Sequence, residues 1–63
     1  MYSIGEIIKR ERLKKSLKQY ELAEKASISN TYLSDIEVGR TSPSLKTLNN
    51  IAKALEIDVK TLL

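Results

Sequence analysis

The stretch QYELAEKASISNTYLSDIEVG, Gln19 to Gly39, limits the possible fold more than any other part of the chain. It holds two apolar stripes of helical spacing, Leu22, Ala23 and Ala26 in one and Leu33 and Ile36 in the other. Only Ser27, Ile28 and Ser29 lie between them. The 3.6-residue period puts each set on one helix face, and no period-2 alternation competes with it. A connection this short forces the second helix to cross the first steeply. Helices that meet steeply need a small residue at closest approach, and Ala23 supplies one. The second helix is expected from about Asn30 to Val38, with Ser29 as N-cap and Gly39 as a left-handed stop. Glu37, four residues after Leu33, falls on its inner face.

The rest of the chain keeps the same period. In YSIGEIIK, Ser3 and Glu6 form a capping box, and Tyr2 and Ile7 are spaced as a hydrophobic staple. Ile4, Ile7 and Ile8 make the inner face of this helix. That face continues through Glu11 and Arg12, because Leu13 lies on the opposite side. Gln19 to Ala26 is the next helix, followed by the one from Asn30. In SPSLKTLNNIAKALE, Ser42 or Ser44 caps a further helix with Pro43 near its first turn, and Leu45, Leu48, Ile51, Ala52 and Leu55 face inward. Asp58 then caps a last turn through Val59 and Leu62. The expected fold is all-α: one compact domain, residues 1–63, of five short helices. Such a chain stands near the lower size limit for folding without disulfides or metals.

Several function classes drop out on composition. The chain has no Cys and no His, so it lacks the usual nucleophile, general base and zinc ligands. Its two glycines, Gly5 and Gly39, make no phosphate-binding loop. Glu11, Glu21, Glu24 and Asp35 are scattered, with no paired-carboxylate arrangement. An enzyme is not expected, nor a cofactor or metal. No apolar run approaches the roughly 20 residues of a membrane span. The opening MYSIGEIIKR also lacks the order of a signal peptide. The expected setting is a bacterial or phage-type cytoplasm. The net charge of +3 is unevenly spread, with +5 over residues 9–18 and −3 over residues 19–38. A polyanion would be gripped from the flanks of such a chain.

Over nearly its whole length the sequence resembles a known family. IGEIIKRERLKKSLKQYELAEKASIS and YLSDIEVGRTSPSLKTLNNIAKALEIDVKTLL are similar to the phage-repressor and Cro-type helix-turn-helix domain, and within it most similar to SinR-type bacterial regulators. The resemblance implies a lambda-repressor-like bundle with helix 3 in the major groove of double-stranded DNA and helix 2 across the backbone. It further implies a homodimer on two half-sites one helical turn apart. Gln19 matches the family's phosphate- and base-proximal glutamine. Ser29, Asn30, Thr31, Ser34 and Asp35 occupy the DNA-facing positions, and Arg40 matches a basic phosphate contact. Arg12 and Glu37 match a pair that bridges helices 1 and 3. This chain departs from the family pattern at Ser16 and Ser27, where Gly is usual in left-handed turns. It departs again at Lys18, a poor cap, and at Glu11, a position usually apolar.

The resulting expectation is a transcriptional regulator, most simply a repressor, that reads bases with Asn30, Thr31, Ser34 and Asp35. Phosphate contacts are expected from Gln19, Ser29, Arg40, Lys46 and helix N-termini. Tyr32 is either a phosphate-contacting hydroxyl or packing at the helix edge. The basic block KRERLKKSLK is either a nucleic-acid patch or a solvated face. Leu62 and Leu63 are candidates for a dimer contact or for a link to a further domain, the chain then being the N-terminal part of a longer regulator. Two other readings use the same residues. One is an antitoxin or restriction-system controller on the same DNA-binding fold, and the other is a protein-interaction module whose acidic helices bind a basic partner.

Overall fold

The computed structural model describes residues 3–63. Four α-helices follow one another: α1 Ile4–Lys14, α2 Gln19–Lys25, α3 Asn30–Val38 and α4 Leu45–Leu55. A 3-10 turn, Val59–Leu62, follows α4, and the described residues contain no strand. The fifth helix is thus a single 3-10 turn. Its bonds reach only three residues, Thr61 N–H to the Asp58 carbonyl at 2.9 Å and Leu63 N–H to the Lys60 carbonyl at 3.2 Å. A segment this short cannot offset the cost of nucleating an α-helix.

Side chains start most of these elements. Ser3 Oγ accepts from the Glu6 N–H and Glu6 Oε1 accepts from the Ser3 N–H, both at 3.1 Å, closing the capping box. Ser29 Oγ accepts from the Tyr32 N–H at 3.0 Å, Ser44 Oγ from the Thr47 N–H at 3.1 Å, and Asp58 Oδ1 from the Lys60 N–H at 2.9 Å. Ser44, not Ser42, is therefore the cap of α4, and Pro43 precedes it. At α2 the Lys18 side chain caps nothing, and only the return bond exists, from the Lys18 N–H to Glu21 Oε1 at 2.7 Å. Tyr2, the outer half of the expected staple, lies outside the described residues.

The core is built from Ile8, Leu22, Ala23, Ala26, Leu33, Ile36, Leu48, Ile51, Ala52, Leu55 and Leu62. α3 packs on both α1 and α2, while α4 closes the bundle against α2 and the 3-10 turn. Two leucines differ from expectation. Leu45 is 62% exposed, because the α4 stripe runs one turn beyond the part of the helix that its neighbours cover. Leu62 is fully buried. In a 3-10 turn Val59 and Leu62 share a side, and that side packs on α4 and α1. Leu62 therefore belongs to the protein's own core and is no dimer contact, which leaves Leu63, 70% exposed, as the remaining candidate.

Gly5 has a role that the sequence reading did not assign. A Cβ there would run into the carbonyl oxygen of Ile36 and stand 2.8 Å from that of Glu37. Only a residue without a Cβ lets the start of α1 lie against the end of α3 this closely. The left-handed turns fall at Ser16 (φ 57°), Ser27 (φ 59°) and Gly39 (φ 84°), and a further one at Glu56 (φ 58°).

Candidate nucleic-acid interface

α3 has two faces of opposite character. Leu33, Ile36 and Glu37 are buried, while Asn30 and Thr31 are exposed and Ser34 and Asp35 are half-buried. Thr31, Ser34, Asp35 and Val38 are spaced three, four and seven residues apart, so they form one outward stripe. Gly39 ends the helix cleanly, and Arg40 follows with its side chain 77% exposed.

The inner face is anchored by an ionic network. Arg12 Nε donates to Glu37 Oε2 at 2.8 Å and Arg12 Nη2 donates to Glu37 Oε1 at 3.0 Å, a two-pronged contact between α1 and α3. The side chains are only 9% and 2% exposed. Arg12 Nη1 donates to the Leu17 carbonyl at 2.9 Å, and Gln19 Nε2 donates to Glu37 Oε1 at 3.2 Å. The Arg12–Glu37 pair therefore ties α1, the turn before α2, the first residue of α2 and the last turn of α3 together. No buried side-chain polar atom among the described residues is left without a partner. This satisfaction matters because a carboxylate at a helix C-terminus faces an unfavourable dipole.

The other sequence-predicted residues are placed as follows. Gln19 is half-buried, with one amide hydrogen bonded to Glu37 as described. Ser29 is exposed and already serves as the α3 cap. Tyr32 is half-buried and packs on the core, so its ring is structural whatever its hydroxyl does. Lys46 is exposed in the first turn of α4. Asp35 and Arg40 meet each other, with Arg40 Nη1 3.5 Å from Asp35 Oδ1. In the basic block, Glu11 is buried beside two cations, Lys14 Nζ at 3.2 Å and Arg10 Nε at 4.0 Å. Its neighbours on α1 thus neutralise a carboxylate at a position that is usually apolar. Two exposed large hydrophobic residues went unassigned from sequence: Val38 at 64% and Tyr20 at 55% exposure. Val38 was legible, since it stands seven residues after Thr31 on the outward stripe.

Residues 8–62 match the family model for the helix-turn-helix, and the chain belongs to that family. It is similar to the ImmF control region 10 kDa protein of Bacillus phage phi105, at 49% identity over 59 residues, 94% of this chain and 66% of that protein. The transcriptional regulator SinR of Bacillus subtilis is 43% identical over 61 residues, 95% of this chain and 55% of SinR. In a crystal structure of SinR in complex with DNA, the matching region superposes with a TM-score of 0.89 at 40% identity, covering 94% of this chain and 95% of that one. The P22 c2 repressor bound to a synthetic operator gives a TM-score of 0.92 at 30% identity, covering 100% of this chain and 96% of the other. The chain spans less than two thirds of the length of SinR and about two thirds of the phage phi105 protein.

Proposed function

We propose that this chain is the sequence-specific, double-stranded DNA-binding domain of a transcriptional regulator, a repressor that acts as a dimer on a two-fold-related operator. The observation that carries the reading is the construction of α3. Its inner face is anchored by the Arg12–Glu37 network, and its outward face presents Asn30, Thr31, Ser34 and Asp35. A reading helix must be held rigidly, because base-edge hydrogen bonds tolerate little displacement. Kinship with SinR and with the P22 c2 repressor, whose structures contain DNA, supports the same reading.

In this mechanism α3 enters the major groove with its N-terminal residues against base edges, and α2 lies across the backbone. Asn30 pairs with adenine, Thr31 and Ser34 meet donors or acceptors, and Asp35 accepts from cytosine N4. Gln19, Ser29, Tyr32, Arg40 and Lys46 contact phosphates and set the register. Regulation follows from occupancy, with no catalysis and no cofactor, in the cytoplasm of a bacterium or of a phage-infected cell. A module this small spans few base pairs, so two copies are needed for tight discrimination. Leu63, or a segment beyond it in a longer regulator, assists the pairing of copies.

Fluorescence anisotropy with a random-sequence duplex over a salt series, followed by selection from a random duplex pool, tests this reading. Salt-sensitive binding and a selected motif with two-fold symmetry are expected. The reading fails if duplex is not bound, or if the motif selected by Asn30→Ala and Asp35→Ala variants is the same as the parent's.

A further inference from the structure

The outer end of α3 carries one more inference, which rests on the DNA-binding reading above. All four α-helices end with the same two backbone bonds. The one that spans more of the chain runs from the N–H of Leu17 to the carbonyl of Arg12, Ile28 to Ala23, Arg40 to Asp35 and Ile57 to Ala52, at 2.8 to 3.1 Å. Helix ends of this type commonly seat an apolar residue, the one directly after the left-handed turn residue, against the turn that they close. Leu17, Ile28 and Ile57 do so, each partly buried on the core. Arg40 is the exception. Its N–H bonds to the Asp35 carbonyl at 2.8 Å, but its side chain stays 77% exposed and pairs with the Asp35 carboxylate. An ion pair stands where the other three helices place an apolar residue.

This geometry joins a base-reading candidate to a phosphate-binding candidate. The backbone bond keeps the two residues adjacent, so the carboxylate and guanidinium find each other whenever nothing better is offered. We propose that Asp35 is a built-in stand-in for phosphate, which holds Arg40 until Asp35 finds its own partner on the DNA. On a random duplex the carboxylate meets no suitably placed donor and stays on Arg40, whose charge is then used internally. On the selected site Asp35 accepts from a cytosine amino group, and Arg40 passes to the nearest phosphate. Asp35 thereby determines specificity twice, through its base and through its hold on Arg40. Exchange is feasible because a pair this exposed is weak, resisting separation by about fivefold at most. A buried pair would keep Arg40 permanently.

The test measures the parent, Asp35→Asn, Arg40→Ala and the double variant on two duplexes, one of random sequence and one selected by the parent. Anisotropy is followed across salt concentrations. Losing Arg40 is expected to reduce the salt slope by about 1 on the selected duplex and by much less on the random one. In the Asp35→Asn background the same loss should reach about 1 on the random duplex too. Asp35→Asn should raise random-duplex affinity about twofold to fivefold more with Arg40 present than with Arg40 absent. Equal slope changes on both duplexes, or additive effects in the cycle, overturn the proposal while leaving DNA binding intact. Absence of salt-sensitive binding by the parent overturns the DNA-binding reading itself. Arg40→Gln replaces Arg40→Ala should thermal unfolding show the latter to be destabilised.

Discussion

Arg12–Glu37 and Arg40–Asp35 join the same two chemical groups at opposite faces of α3. The first is a two-pronged contact at 2.8 and 3.0 Å with both side chains nine-tenths buried or more. The second is a single contact at 3.5 Å, with its guanidinium in solvent and its carboxylate half-buried. Removing one partner strands a charge in both cases, but only the buried residue lacks water as a substitute. Burial, not residue type, separates a pair that locks the scaffold from one that can change partners. The two roles suit their positions. The lock holds the helix, and the exchangeable pair stands where a ligand would compete for it.

The comparison breaks most easily at the buried pair. Glu37→Ala or Arg12→Ala should each lower stability by about 3 kcal/mol in urea unfolding, because the remaining charge stays desolvated and unpaired. The double variant should recover part of that loss, and strict additivity would remove the claim that the two act as a unit. Gly5→Ala should come next, at about 1–3 kcal/mol of overpacking, since its Cβ meets the carbonyls of Ile36 and Glu37. A neutral result there would mean that the α1–α3 contact yields freely, so the lock is looser than its distances suggest.

At the exposed pair the effects on folding should be small. Asp35→Asn and Arg40→Ala should each change stability by less than about 0.5 kcal/mol, measured by the same urea unfolding. A larger loss would place this pair with the structural one and leave no reason to treat it as exchangeable. The smallest effect belongs to a charge-assisted hydrogen bond, that of the Glu6 carboxylate in the α1 capping box. The Ser3 backbone N–H, and then the Ser3 hydroxyl, hold its pKa below the ordinary 4.5. A carboxylate depressed on folding contributes stability above its unfolded pKa, and loses it as pH falls through the folded value. The stability gap between the parent and Glu6→Ala should therefore be present at neutral pH and shrink on acidification below about 4.5. A gap independent of pH would assign the cap to the Ser3 hydroxyl alone.

Much of this was legible along the chain. Ser3, Ser29 and Gly39 act locally, through groups within a few residues, so their types and spacing were enough to place helix boundaries. Glu37 was legible as an inner-face acid because the helical period alone puts it beside Leu33 and Ile36. Leu45 and Leu62 were misread for the opposite reason. Each lies on the extension of an apolar stripe or at a chain end, where exposure depends on which neighbour arrives there. Gly5 gave no signal beyond its identity, since the carbonyls that exclude a Cβ come from residues more than thirty positions later. Asp35 and Arg40 were read as separate contacts because five residues is not a helix-face spacing; the left-handed turn at Gly39 brings them together.

The sequence by itself determined the helical period, the caps at Ser3, Ser29 and Asp58, the short steep connection around Ile28, and the outward stripe of Thr31, Ser34 and Asp35. These follow from backbone geometry and side-chain reach over a few residues, which linear order specifies directly. The tertiary structure alone decided that Leu62 is core and Leu45 is not, and that Gly5 admits α1 against α3. It also decided that Gln19 and the Leu17 carbonyl complete the Arg12–Glu37 network. Each of these depends on which distant groups share one small volume, and exclusion of water from that volume sets whether a charge is locked or free to exchange.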